Sequence, residues 1–170
     1  QLGKMQFLYA SDNSDRIIPY IYSTNMNWIY NLCQQKYLSE KSVVNLRCPA
    51  LVPTNVYSYD QYYGMTRNKD NLYLIDRPKY EQVTRVIVPS RFPLLSDSVL
   101  DGTPDKQTYF LAWVGTSNWD TTRHVHLRHQ GTANFCAGDG HALNVSRMTA
   151  ITAFDWGSSV PVDNYFKRGM

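Results

Sequence analysis

Charge of one sign, long apolar runs and a readable set of cysteines are what this sequence has little of. Lys and Arg number 17 against 14 Asp and Glu, a net charge of +3. The basic residues are scattered, so no stripe exists to neutralise a nucleic-acid backbone. No apolar run approaches the roughly 18 residues of a membrane span, and Gln1 opens no signal-peptide pattern. Three cysteines, Cys33, Cys48 and Cys136, leave at least one outside any bridge, so no disulfide framework can be read. There is no Gly-x-Ser-x-Gly elbow, phosphate-cradling Gly-rich loop or His-Glu-x-x-His helix. Asp60, Asp76 and Glu81 are acidic, but nothing pairs two of them for glycoside chemistry, and they read as solvated charges. A nucleophilic Cys33 with a distant His is equally unsupported. An enzyme is not expected.

What is present fits one globular domain spanning residues 1–170. The chain is 43% apolar and 18% charged, with enough length to bury a core, and it is rich in aromatics, with 13 Tyr and 4 Trp. Leu2, Met5, Leu8 and Tyr9 recur at helical spacing and predict a helix over 1–13 with that stripe buried, ending near Asp12-Asn13-Ser14-Asp15. Asn25 or Asn27 caps a second helix through about Leu38, burying Trp28, Leu32 and Ile29. Tyr57 to Tyr63 alternates as a half-buried strand. Lys79 to Thr84 reads as a short helical connection, Arg85 to Val88 and Leu94 to Asp97 as strands, and Asp101 to Asp105 as a loop. Thr108 to Val114 is apolar enough to be a central strand. Ser146 caps a helix over Arg147 to Phe154, and 157–170 reads as an irregular tail. This order predicts an α+β domain, helices packed on one antiparallel sheet.

The sharpest local signal is Arg128 to Val145. Two apolar runs flank Asp139-Gly140, a dipeptide suited to a two-residue hairpin turn with positive φ at both positions. That loop would pair Gly138 with His141, Cys136 with Leu143 and Asn134 with Val145. Cys136, Leu143 and Val145 would then face the core and Phe135 the opposite side.

His129, nine residues, then Asp139-Gly140 resembles the signature of the prepilin-type H-X9-DG domain, a family similar to type IV pilins and type II secretion pseudopilins. Further blocks follow the family's order. They are Gln1-Leu2-Gly3 through Tyr9-Ala10-Ser11-Asp12-Asn13 with Ile18-Pro19, Trp28 with Leu32, Arg47-Cys48-Pro49, Ser58-Tyr59 with Gly64-Met65, and Pro93 to Ser98. Ala137-Gly138 departs from it, where the family more often has an aromatic-alanine pair. The resemblance implies a pilin-like fold, an N-terminal helix packed on an antiparallel β-sheet with additional short helices. Residues 1–13 would be the C-terminal half of that helix and 14–170 the head, with a membrane anchor upstream of Gln1. It implies a non-catalytic structural subunit of a type II secretion or type IV pilus-like assembly in the cell envelope, anchored in the inner membrane with a periplasmic or extracellular head. Its partners would be other pilin-like subunits, the secretion or pilus machinery and, for the precursor, the prepilin peptidase. In this setting His129, Asn134, Phe135, Asp139, Gly140 and His141 are structural hairpin residues.

Four other readings stay open. His124-x-His126 on a strand would point both rings to one face, and with His129, Asp139 and His141 nearby a zinc site is conceivable. Its spacing is not a standard zinc pattern, and the competing reading has His129 ordering the hairpin while His124 and His126 sit in a surface loop. Calcium could use Asp97, Asp101 or Asp105, without EF-hand spacing. In an oxidising envelope Cys33 with Cys48 would be the bridge, against the favoured reading of three buried thiols acting as small hydrophobes. The alternative function is a secreted or anchored carbohydrate- or partner-binding module, stacking ligands on exposed Trp113, Trp119, Trp156 and the Tyr57 to Tyr63 ladder.

Overall fold

Helix α1 (Leu2–Asp12) stops where the sequence turns polar: Ser14 and Asp15 take left-handed backbone at φ 56° and 60°, and Asp15 N–H reaches back to the Ala10 carbonyl. Short polar side chains tolerate that conformation better than most. The computed structural model describes residues 1–18, 21–23, 26–43, 46, 48, 63–67, 88–100, 107–108, 110–112, 123–153 and 166–168. Most of the Tyr57 to Tyr63 ladder, the elements expected at Lys79 to Thr84 and Arg85 to Ile87, the loop Asp101 to Asp105, and Trp113, Trp119 and Trp156 lie outside these residues, as do Asp60, Asp76 and Glu81.

The face α1 buries differs from the expected stripe. Leu2, Gly3, Gln6 and Ala10 point inward, Met5 and Tyr9 are only partly covered, and Leu8 is 55% exposed. Small residues win because the helix lies against a sheet at short range: a Cβ on Gly3 would overlap the Cys136 sulfur. Gln6 is fully buried because both ends of its amide are used. Its Oε1 accepts from Ile18 N–H at 3.0 Å and its Nε2 meets Met65 Sδ at 3.7 Å.

Strands β1 (Ile21–Ser23) and β2 (Met26–Asn27) form a small antiparallel pair ahead of α2 (Trp28–Gln34). Asn27 is the cap, its Oδ1 accepting from Tyr30 N–H. The helix ends four residues before the expected Leu38. Lys36 turns left-handed at φ 64°, its N–H bonds to the Cys33 carbonyl, and Tyr37 N–H bonds to that of Leu32. This paired closure satisfies the last carbonyls and forbids a further turn. Trp28, Ile29 and Leu32 are wholly buried and with Ile17, Ile18 and Leu38 join the main core. A short helix α3 (Glu40–Val43) follows.

The remaining strands are β3 (Gly64–Arg67), β4 (Pro93–Ser96), β5 (Ser98–Leu100), β6 (Phe110–Ala112), β7 (Arg123–Leu127), β8 (Thr132–Ala137), β9 (Ala142–Ser146) and β10 (Phe166–Arg168). They make a five-stranded sheet in the order β6-β3-β4-β8-β9 and a three-stranded sheet in the order β10-β7-β5. The architecture is α+β. It is less uniform than a single antiparallel sheet: β3 with β6 and β10 with β7 run parallel. Strand β6 sits at an edge among the described residues, not in the centre, and the tail expected to be irregular contributes β10. Met65, Leu95, Cys136 and Ala142 stand in one row across β3, β4, β8 and β9, and α1 covers that face through Gly3 and Gln6. Ser146 Oγ accepts from Thr149 N–H, capping α4 (Arg147–Ala153) as its sequence predicts. No helix among the described residues is long and apolar enough to cross a membrane.

Candidate functional site

Two turns frame β8, and they are built differently. At the first, Gln130 and Gly131 have φ of 54° and 83°, and His129 and Thr132 exchange both backbone hydrogen bonds at 3.1 Å. This is a two-residue turn with both φ positive, the geometry expected at Asp139-Gly140. At the second, Ala137 bonds to Gly140 N–H and to His141 across a three-residue loop, and only Gly140 is left-handed, at φ 89°. The extra loop residue is Gly138, whose N–H goes to the Phe92 carbonyl at 2.8 Å. The register moves by one: Cys136 pairs with Ala142, Phe135 with Leu143 and Ala133 with Val145. Ala133, Phe135, Ala137 and Val145 are therefore buried together, and Cys136 faces α1 instead of sharing their side.

The first turn carries chemistry. Its hydrogen bonds, with Thr132 Oγ1 donating to the His129 carbonyl at 2.6 Å, fix the His129 backbone. The ring reaches Asp97, with Nε2 at 3.1 Å from Oδ2. Asp97 is the single residue between β4 and β5, where the chain leaves one sheet for the other. Its N–H bonds to Asn134 on β8 and its carbonyl accepts from His126 on β7. The Asp97 side chain is fully buried, and Oδ2 also accepts Asn134 N–H at 2.7 Å, while among the described residues Oδ1 has no hydrogen-bond partner. Burial pushes the Asp97 carboxyl above the usual range, opposed by the Asn134 N–H and by the nearby Arg128 and His129. The third member is Cys48, fully buried, whose Sγ lies 3.3 Å from the same His129 Nε2 and also reaches the Asp97 carboxylate. Tyr63 packs nearby, its phenol pushed up to about 12 by burial and by the charges of Asp97 and Cys48.

Among the described residues, both contacts of the imidazole fall on Nε2. A nucleophile relay needs the two ring nitrogens to divide the work, one toward the thiol and one toward the carboxylate. The arrangement at His129 is instead a convergence of three donors. Among the described residues, Cys48, Asp97 and His129 are the one group of His, Cys, Asp and Glu whose ligand atoms all lie close enough to hold a metal ion, within 4.8 Å of one another.

The zinc set conceivable from the sequence is not assembled. Of His124, His126, His129, Asp139 and His141, only His129 belongs to this group. His124 and His126 lie on β7, buried and not in a surface loop, and burial followed by the charges of Arg128 and His129 pushes His126 down to about 4. Asp139 and His141 stay with each other at the exposed hairpin tip, Asp139 Oδ1 meeting both the N–H and the ring Nδ1 of His141. Burial opposes ionisation of Asp139, but the hydrogen bonds and charge of His141 together prevail and hold it below the usual carboxylate range. Asn134 binds Asn144 across the hairpin at 2.9 Å. No disulfide joins Cys33 to Cys48: Cys33 is buried within α2, and Cys48 is turned to His129. Of the calcium candidates, Asp97 is in the cluster, and Asp101 and Asp105 lie outside the described residues.

Cys48 as a metal donor was not anticipated by spacing, because the cluster joins positions 81 residues apart. A signal existed: Cys48, Asp97 and His129 each stand in a different block of the family resemblance. Compared with known protein families, curated proteins and solved structures, the chain matches none.

Proposed function

We propose that this chain is the head of a pseudopilin-like, non-catalytic structural subunit of a type II secretion or type IV pilus-like envelope assembly. It would be held to the inner membrane by a helix that continues α1 upstream of Gln1. The supporting observation is the seating of α1 on the five-stranded sheet at Gly3–Cys136 and Gln6–Met65 and on its β8–β9 turn at Phe7–Gly140. Such a seat fixes the direction in which an upstream helix would leave the head, which a subunit assembling through packed helices requires. The H-X9-DG resemblance adds the order of its sequence blocks. The precursor would be cut by a prepilin peptidase, and the partners would be other pilin-like subunits and the secretion or pilus machinery.

The coding sequence upstream of Gln1 tests this reading. A leader ending in Gly, a Glu five residues into the mature chain and about 20 apolar residues before Gln1 are expected. A plain cleaved secretion signal directly before Gln1 would overturn it and favour a released binding module.

A further inference from the structure

We propose that Cys48 Sγ, Asp97 Oδ2 and His129 Nε2 form a mononuclear zinc site that ties the Cys48 segment to the junction of the two sheets. The separations suit one ion. A tetrahedral zinc with Zn–N and Zn–O near 2.0–2.1 Å and Zn–S near 2.3 Å sets its N and O ligands about 3.3 Å apart and its S and N ligands about 3.6 Å apart. Asp97 Oδ2 and His129 Nε2 stand at 3.1 Å and Cys48 Sγ and His129 Nε2 at 3.3 Å, so small movements open a cage of the right size.

The donor set selects the metal class. A thiolate with an imidazole and a carboxylate suits a borderline ion such as zinc, whereas calcium and magnesium take all-oxygen shells. A second observation points to a cation. Asp97 is wholly buried, and among the described residues its Oδ1 has no hydrogen-bond partner. Among the described residues the Arg128 guanidinium acts on this carboxylate through its charge, while its Nη2 donates to the Ser98 carbonyl and its Nε and Nη1 make no hydrogen bond to Oδ1. A buried carboxylate with an unused oxygen retains a demand for positive charge that an ion meets. The Asn134 N–H on Oδ2 is the supporting contact that orients this ligand.

On binding, the Cys48 S–H bond breaks, its proton leaves to solvent, and the sulfur electron pair goes to the metal. The Nε2 proton that faces Asp97 passes through solvent to Nδ1, which leaves the Nε2 lone pair of His129 free to coordinate. Three protein donors leave the fourth tetrahedral position to water. His129, whose side chain is 24% exposed, lies on the side from which ion and water would enter.

The test is calorimetric titration of the metal-stripped 170-residue chain with zinc chloride, with cobalt(II) as a spectroscopic probe. One equivalent is expected to bind, and cobalt should give a thiolate-to-cobalt charge-transfer band with tetrahedral ligand-field bands. Cys48→Ser should abolish the charge-transfer band and weaken zinc binding more than about 100-fold, beyond the cost of losing an outer-shell partner. Cys33→Ser and Cys136→Ser should keep both. His129→Ala, at the most accessible ligand, should lose affinity comparably with its circular dichroism unchanged, which covers a Cys48 variant that fails to fold. Absence of saturable one-to-one binding by the folded chain would overturn the proposal. So would a wild-type zinc affinity in folded His129→Ala, or a charge-transfer band persisting in Cys48→Ser.

Discussion

The turns at either end of β8 look alike in sequence, a short polar residue or amide followed by glycine, and they serve the fold in opposite ways. Gln130-Gly131 is a two-residue turn that holds His129 against a buried carboxylate and thiol. Gly138-Asp139-Gly140 is a three-residue turn that presents an exposed Asp–His pair and sets Gly140 beneath the Phe7 ring of α1. The first organises polar chemistry at the junction of two sheets, and the second seats a helix. What decides the difference is the burial of whatever the turn faces.

The largest way to break this comparison is at Asp97. Asp97→Ala leaves Asn134 N–H and His129 without their buried acceptor, and should cost about 3–5 kcal/mol in urea unfolding, as removal of one member of a buried pair does. Acid should act on the same region through His126. It is neutral in the folded chain down to about pH 4, while the unfolded chain takes up the proton near the ordinary value of 6.5. Its contribution is therefore complete above pH 6.5 and is lost as pH falls from there to about 4. The loss is of order 3 kcal/mol, and His126→Leu should flatten that part of the stability profile.

On the helix-seating side, Gly3→Ala drives a methyl into the Cys136 sulfur and should cost about 1–3 kcal/mol. Cys136→Ala, which removes the obstructing atom, should restore part of it in a double-mutant cycle. Gly131→Asn and Gly140→Asn separate the turns more finely. Both sites are left-handed, but among the described residues nothing lies within 4 Å of a Cβ on Gly131, whereas the Phe7 ring comes within 3.1 Å of one on Gly140. Asn tolerates that backbone, so thermal unfolding should show the larger loss at Gly140. The smallest effect is Asp139→Asn at the exposed tip, within about 0.5 kcal/mol.

Local chemistry made the cap at Ser146, the end of α1 and the strand at Leu94 to Ser96 legible in the sequence, and narrowed the α2 cap to Asn25 or Asn27, of which Asn27 serves. The hairpin between Ala133 and Val145 was legible as an element but not in register. Asp-Gly is a strong turn signal, and the glycine before it could be strand or loop until Phe92 claimed its N–H. The buried face of α1 was misread for a similar reason: periodicity weighs Leu8 above Gly3, while a close helix–sheet contact does the reverse. The cluster of Cys48, Asp97 and His129 was hidden because its members come from a loop, a sheet junction and a turn, and only tertiary pairing brings them together.

Urea unfolding of His129→Ala beside His141→Ala tests the contrast between the turns most directly. The account predicts a loss of at least about 2 kcal/mol for His129→Ala, which strands the buried Asp97 carboxylate, and no more than about 0.5 kcal/mol for His141→Ala at the exposed tip. Equal losses, or a larger loss at His141, would contradict it.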